Sequence, residues 1–248
     1  MGIFAQEAVF CHGVRKSVFS DEKEISVLEN IGLKIPPGSF TALLGNSGSG
    51  KTALTEILLG VAKPDRGQTE IFGTDIFSLP AAKMAEFRRT VLSAVFPSGN
   101  LISTLDLETN LFLPYLLAKK QPERQQAEQI TDFFGLRPFL ASMPDTLAPK
   151  THYTAAIARA LIARTKLLLC DDPTWHLSER EVNEIASYLR LAVRDFGMTV
   201  FAATSDPFLA VAADTVYLLS EGKIYGQIQN PTLNSVILAM DAAKDGTP

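Results

Sequence analysis

The strongest constraint on this chain lies in eight residues, Gly45, Asn46, Ser47, Gly48, Ser49, Gly50, Lys51 and Thr52, directly behind the apolar run Phe40 to Leu44. A five-residue apolar run reads as a buried strand, and Ala53 to Ala62 reads as a helix. The glycines between them permit a tight loop whose backbone N–H groups curl inward, next to a helix N-terminus that favours negative charge. Gly-x-x-x-x-Gly-Lys-Thr between strand and helix is the Walker A phosphate loop: Lys51 reaches outer phosphates and the Thr52 hydroxyl is placed to ligate Mg²⁺. A chance Gly/Ser turn is the plain alternative, and the strand–helix context counts against it. Gly45 to Thr52 are therefore the candidate nucleotide-binding residues.

Further strands are expected near Ile25 to Ile35, Thr69 to Ile76, Val91 to Phe96, Lys166 to Asp171, Thr199 to Thr204 and Thr215 to Leu219. Helical patterns lie between the later ones. One runs from Ser178 to Phe196, with Ser178 and Glu181 spaced as a capping box. Alternating strands and helices imply an α/β fold with a parallel sheet. Asp106 to Ala163 offers no strand and reads as helices broken at Pro122, Gly135 and Pro144, a helical insertion in the sheet domain. A loose tail is expected after Met240.

Leu167, Leu168, Leu169, Cys170 and Asp171 form an apolar strand ending in a carboxylate, as a Walker B strand does, about 120 residues beyond Lys51. Asp171 is thus a candidate to hold Mg²⁺ through water, although a plain strand end would look the same. With 23 basic against 27 acidic residues and a net charge of −4, the chain shows no electrostatic footprint for nucleic acid. Cys11 and Cys170 suggest neither a disulfide nor a metal site, and His12, His152 and Trp175 show no catalytic or metal-ligand spacing. No leader is visible and no run reaches the ~18 apolar residues of a membrane span. The expectation is a soluble, cytosolic chain that serves a membrane only by docking to a partner.

Here the sequence resembles the ABC transporter ATPases, and closely the branch serving lipoprotein release and macrolide export. Matching stretches run from about Val9 to Gln227 and include Val27 to Asn30, Pro64, Gly67, Ala156 to Leu161, Lys166 to Leu177 and Glu221 to Ile224. The resemblance implies a single ATP-binding domain over 1–248. Its core would be a RecA-like P-loop NTPase fold, with an N-terminal β subdomain and a helical subdomain at about 98–163. It also implies ATP and Mg²⁺ as ligands and an integral membrane transporter subunit as partner. A homodimer or heterodimer with another such chain would sit on the cytoplasmic face of the inner or plasma membrane. In that family each ATP is clasped between one chain's Walker motifs and the other chain's signature segment.

The chain departs from the family at most catalytic positions. The glutamine that helps coordinate Mg²⁺ falls on Pro97, which has no side-chain oxygen. The signature falls on Leu147, Ala148, Pro149, Lys150 and Thr151, losing a hydroxyl and an amide and gaining a bulky side chain. Lys150 reads either as a phosphate contact or as a solvated loop lysine. The catalytic glutamate falls on Asp172, about 1.5 Å shorter, and the switch histidine on Ser205. The dimer-loop aspartate falls on Ser178. Val18 occupies the adenine-stacking position, with Phe19 beside it as either a substitute or a core aromatic. The Leu111 to Leu117 cluster reads as helical core, with contact to a transporter as the alternative. The resulting expectation is an ATP-binding transporter subunit with slow or absent hydrolysis. A working ATPase and a soluble scaffold remain the alternatives.

Overall fold

The computed structural model describes residues 7–20, 23–97 and 100–244. The chain runs through strands β1 (Val9–Ser20), β2 (Lys23–Ile35) and β3 (Phe40–Leu44) into helix α1 (Lys51–Leu58). Strands β4 (Arg66–Ile71) and β5 (Thr74–Asp75) lead to helix α2 (Ala81–Val91) and strand β6 (Leu92–Val95). Helices α3 (Leu107–Ala118), α4 (Arg124–Phe133) and α5 (Pro149–Ala163) follow, then strand β7 (Leu167–Asp171), helix α6 (Glu179–Arg194) and strand β8 (Thr199–Thr204). A short helix α7 (Pro207–Ala210), strands β9 (Thr215–Ser220) and β10 (Lys223–Gln229) and helix α8 (Leu233–Lys244) complete it.

The central sheet has the order β10-β9-β3-β8-β7-β6, parallel throughout except for the antiparallel edge strand β10. Its inner strands are buried on both faces, and the period of two divides them. Phe40, Ala42, Leu44, Leu168, Cys170, Val200 and Ala202 face the layer containing α5 and α6. Leu43, Leu167, Leu169, Phe201 and Ala203 face α1, α2 and the second sheet. Truncating such a side chain, for example Leu168→Ala, costs about 2–5 kcal/mol. The second sheet, β2-β1-β4-β5, is antiparallel.

Several expectations are corrected here. β1 was not anticipated, and β10 is a full edge strand. The strand expected over Thr69 to Ile76 is two, because Phe72 and Gly73 both turn with positive φ (47° and 71°). The chain remains helical past Met240 as far as Lys244. As expected, 107–163 holds α3, α4 and α5 with two short 3-10 turns and no strand. Gly135 turns at φ 63° where α4 ends.

Candidate functional site

The site follows from strand order. β3, β8 and β7 are adjacent and parallel, so the loop after β3, Ser205 after β8 and Asp171 at the end of β7 meet at one edge of the sheet. Crevices beyond the carboxyl ends of parallel strands are where α/β folds bind ligands.

The loop itself is held from beneath. The Gly222 N–H donates to the Ser49 carbonyl at 2.9 Å, and the Gly222 carbonyl accepts from Glu29 N–H at 2.7 Å. Gly50 closes the loop at φ 109°, and a Cβ there would stand 2.7 Å from the Val27 carbonyl. A side chain at Gly45 would meet the Leu219 carbonyl at 2.5 Å. α1 starts at Lys51, two residues earlier than expected, with no acid in its first turn and no side chain capping it. Its first N–H groups and the positive end of its dipole are thus left to an anion.

Lys51 is buried and donates to the carbonyls of Gly45 (2.9 Å) and Asn46 (3.1 Å). Its Nζ lies 3.8 Å from Asp172 Oδ2. Asp171 is buried, and its Oδ1 has no hydrogen-bond partner among the described residues; the same holds for Ser49 Oγ. Burial raises the Asp171 carboxyl above the usual carboxylate range; the Thr52 hydroxyl opposes this, Asp172 adds to it and Lys51 opposes it. An orphaned, desolvated carboxylate beside a threonine hydroxyl is a donor set that fits a hard cation with oxygen ligands. The loop and Lys51 fit a phosphate chain. Among the described residues no group of three His, Cys, Asp or Glu side chains forms a separate metal cluster.

The other sequence candidates divide. Asp172 adopts φ 40°, a left-handed conformation, with its N–H on the Ala203 carbonyl at 2.8 Å. Its Oδ1 accepts from the Ser205 N–H at 2.9 Å and the Ser205 hydroxyl at 3.4 Å. Phe19 lies toward the β1–β2 turn, paired with Glu24 and 81% exposed, which removes the core reading. Pro97 is exposed, and Ser98 and Gly99 lie outside the described residues. Ser178 caps α6: its N–H and hydroxyl donate to the Glu181 carboxylate at 2.9 and 2.7 Å.

The segment Leu147 to Thr151 is closed within the chain. Ala148 precedes α5 and Pro149 takes its first position, where a fixed φ suits the helix. Lys150 is neither solvated freely nor poised toward a ligand. Its Nζ donates to both Glu184 oxygens, at 2.9 and 2.8 Å, and Glu184 also accepts from the Tyr188 hydroxyl at 2.7 Å. Lys150 is the leading cause that holds the Glu184 carboxyl below its usual range. Three residues on, the buried Tyr153 hydroxyl donates to the Trp175 carbonyl at 3.3 Å, linking α5 to the loop that carries Asp172. Sequence reasoning missed Glu184 and the loop support from Gly222. Neither carries a local signal, since Glu184 and Lys150 are 34 residues apart.

Comparison with known proteins gives the same frame. The ABC transporter family profile matches residues 28–175, more than half of the chain. The ABC transporter ATP-binding protein YxdL of Bacillus subtilis is 32% identical over 85% of this chain and 82% of its own length. The lipoprotein-releasing system ATP-binding protein LolD of Syntrophotalea carbinolica is 32% identical over 85% of this chain and 94% of its own. The macrolide export ATP-binding/permease protein MacB of Rhodopirellula baltica is 33% identical over 86% of this chain. The chain spans only 32% of that protein's length. Among solved structures, a dimeric post-hydrolysis state of the ATP-binding cassette MJ0796, bound to ADP and Pi, superposes with a TM-score of 0.82. It is 27% identical and covers 90% of this chain and 99% of its own. On the profile match and the YxdL and LolD relatives, the chain belongs to the ABC transporter family.

Proposed function

We propose that this chain binds ATP with Mg²⁺ in the loop Gly45 to Thr52 and serves as the ATP-binding subunit of a membrane transporter, with hydrolysis slow or absent. The observation that carries the reading is the meeting of Lys51, Thr52 and the orphaned Asp171 carboxylate at one sheet edge, against an uncapped helix N-terminus. Lys51 exchanges its two loop carbonyls for phosphate oxygens, and the backbone N–H groups of the loop and α1 complete the cradle. Thr52 and Asp171 would hold the cation, whose chemistry is to neutralise charge on the outer phosphates. The exposed ring of Phe19 is free to stack on a base.

Slow hydrolysis follows from what surrounds the attacking position. A general base must reach its proton donor within hydrogen-bond distance, and losing one costs about 10²- to 10⁴-fold. Asp172 has one oxygen tied to Ser205 and the other beside Lys51. Ser205 supplies no imidazole. In the signature segment the Lys150 ammonium has its charge paired with Glu184, which leaves it poorly placed to serve a partner chain's phosphate.

α3 supports the membrane partner. Beyond Glu108, Thr109 and Asn110 its side chains are apolar, yet Leu116 and Leu117 are exposed, and an apolar helix face is ordinarily covered. A groove of about 420 Å³ lies between α3 and α4, its walls including Phe112, Tyr115, Leu116 and Leu140. Among the described residues no helix is long and apolar enough to cross a membrane, so the reading places the chain peripherally, on the cytoplasmic face. The assembly is a dimer with a second copy or with another ATP-binding chain.

The test is calorimetric titration of the full chain with MgATP. Lys51→Ala should weaken binding by about 100-fold or more, as expected when a charged donor to phosphate is removed. Unchanged affinity in that variant, or no binding by the parent, would overturn the nucleotide reading. Co-purification of an integral membrane protein from solubilised membranes tests the transporter reading, and its loss on Leu116→Glu/Leu117→Glu substitution tests the docking face.

A further inference from the structure

Two carboxylates, Asp171 and Asp172, stand beside the single buried ammonium of Lys51, and they are held differently. Asp171 Oδ1 has no partner among the described residues. Asp172 is engaged at both oxygens: Oδ1 accepts from the Ser205 N–H at 2.9 Å and its hydroxyl at 3.4 Å, and Oδ2 faces Lys51 Nζ at 3.8 Å. The backbone reinforces this, because Asp172 sits at φ 40° with its N–H fixed on Ala203. A carboxylate on a single methylene, with its backbone pinned and one oxygen tied, has little freedom to swing outward.

We infer that Asp172 is a tethered counter-ion for Lys51, positioned by Ser205, and that the terminal phosphate of an incoming nucleotide must displace it or bind against its charge. The inference rests on the nucleotide reading above and goes beyond it, since it gives Asp172 a role in ligand selection. Lys51 reaches the β- and γ-phosphates of a bound nucleotide, so a triphosphate brings one more charged group toward Asp172 than a diphosphate does. Like charges at such separations in a partly buried site oppose one another strongly. Asp172 therefore lowers the affinity for ATP more than for ADP. The empty loop gains a compensating charge for a lysine that is only 5% exposed.

The experiment measures MgATP and MgADP affinities, and the nucleotide-free melting temperature, for the full parent chain, Asp172→Asn, Asp172→Ala and Ser205→Ala. Asn keeps the shape and can still accept from the Ser205 N–H. The expected result for Asp172→Asn is ATP bound about tenfold more tightly, ADP changed by less than about threefold, and a lower nucleotide-free melting temperature. Asp172→Ala should move in the same direction, which guards against a fault peculiar to one variant. Ser205→Ala keeps the stronger, backbone contact and should shift ATP affinity by less than about threefold. A purely structural ion pair would lower the melting temperature of Asp172→Asn without separating ATP from ADP, and that result overturns the inference. Equal or weaker ATP binding by both Asp172 variants also overturns it, leaving the nucleotide reading intact. If neither the parent nor the variants bind either nucleotide, both readings fall together.

Discussion

Two helix starts in this chain differ in how the side chains around them are held. At α1 the polar groups are left open. No side chain caps the helix, Ser49 Oγ and Asp171 Oδ1 lack partners among the described residues, and Lys51 rests on carbonyls it can leave. α5 likewise has no side-chain cap, but the side chains around its start are engaged. Proline occupies the first position, Lys150 is held by Glu184, and the His152 Nε2 contacts the Pro144 carbonyl at 2.7 Å. Buried polar atoms without partners cost stability, a cost that a bound ligand would offset at the first start. The contrast supports the proposed nucleotide site at the first helix start and gives the second a structural role.

The largest expected effect comes from closing the open end by force. Gly50→Val would set a Cβ 2.7 Å from the Val27 carbonyl at a φ of 109°. It should abolish ATP binding and destabilise the fold by about 2–4 kcal/mol, read by titration and denaturant melts. Native stability with binding intact would show that the loop has another shape.

A smaller effect of opposite sign is expected at the orphaned oxygen. Asp171→Asn removes a buried charge that the Thr52 hydroxyl and Lys51 offset only in part, so the metal-free chain should gain about 1–2 kcal/mol, a rise of roughly 3–6 °C in melting temperature. The same variant should lose most of the effect of Mg²⁺ on ATP affinity. A destabilised metal-free variant would mean that the carboxylate is already satisfied.

The smallest effect belongs to the closed end. Lys150→Ala breaks an ion pair whose side chains are 31% and 35% exposed, so solvent screening limits the loss to about 0.5–1 kcal/mol. ATP affinity of the isolated chain should not move. A tenfold weakening would show that the α5 start takes part in nucleotide binding within one chain, and the contrast between the two ends would fail.

How far the sequence foretold this can be argued from particular elements. β3, the loop and β7 were legible because each is a local signal: an unbroken apolar run, glycines before a lysine, a terminal carboxylate. The Ser178 cap was legible for the same reason. β1 was not, because register shifts between Cys11 and Val14 and again before Lys16 and Ser17 break the alternation of two. The turn at Phe72 and Gly73 carries a local signal in Gly73 that a single strand over Thr69 to Ile76 ignores. At the site, the resemblance located Asp172 and Ser205 but not their contact, which depends on β7 lying beside β8. The Lys150–Glu184 pair depends on how α5 packs against α6.

The central claim is that the chain keeps ATP binding while its catalytic surroundings are disabled, and one measurement addresses both halves. Incubating the purified chain with Mg²⁺ and ATP labelled at the terminal phosphate, then counting bound label and released phosphate, gives occupancy and turnover together. The account predicts near-stoichiometric bound, intact ATP and turnover at least ~100-fold below the ~10 s⁻¹ that is ordinary for enzymes. Phosphate release near ~10 s⁻¹, or no bound label at saturating ATP, would contradict it.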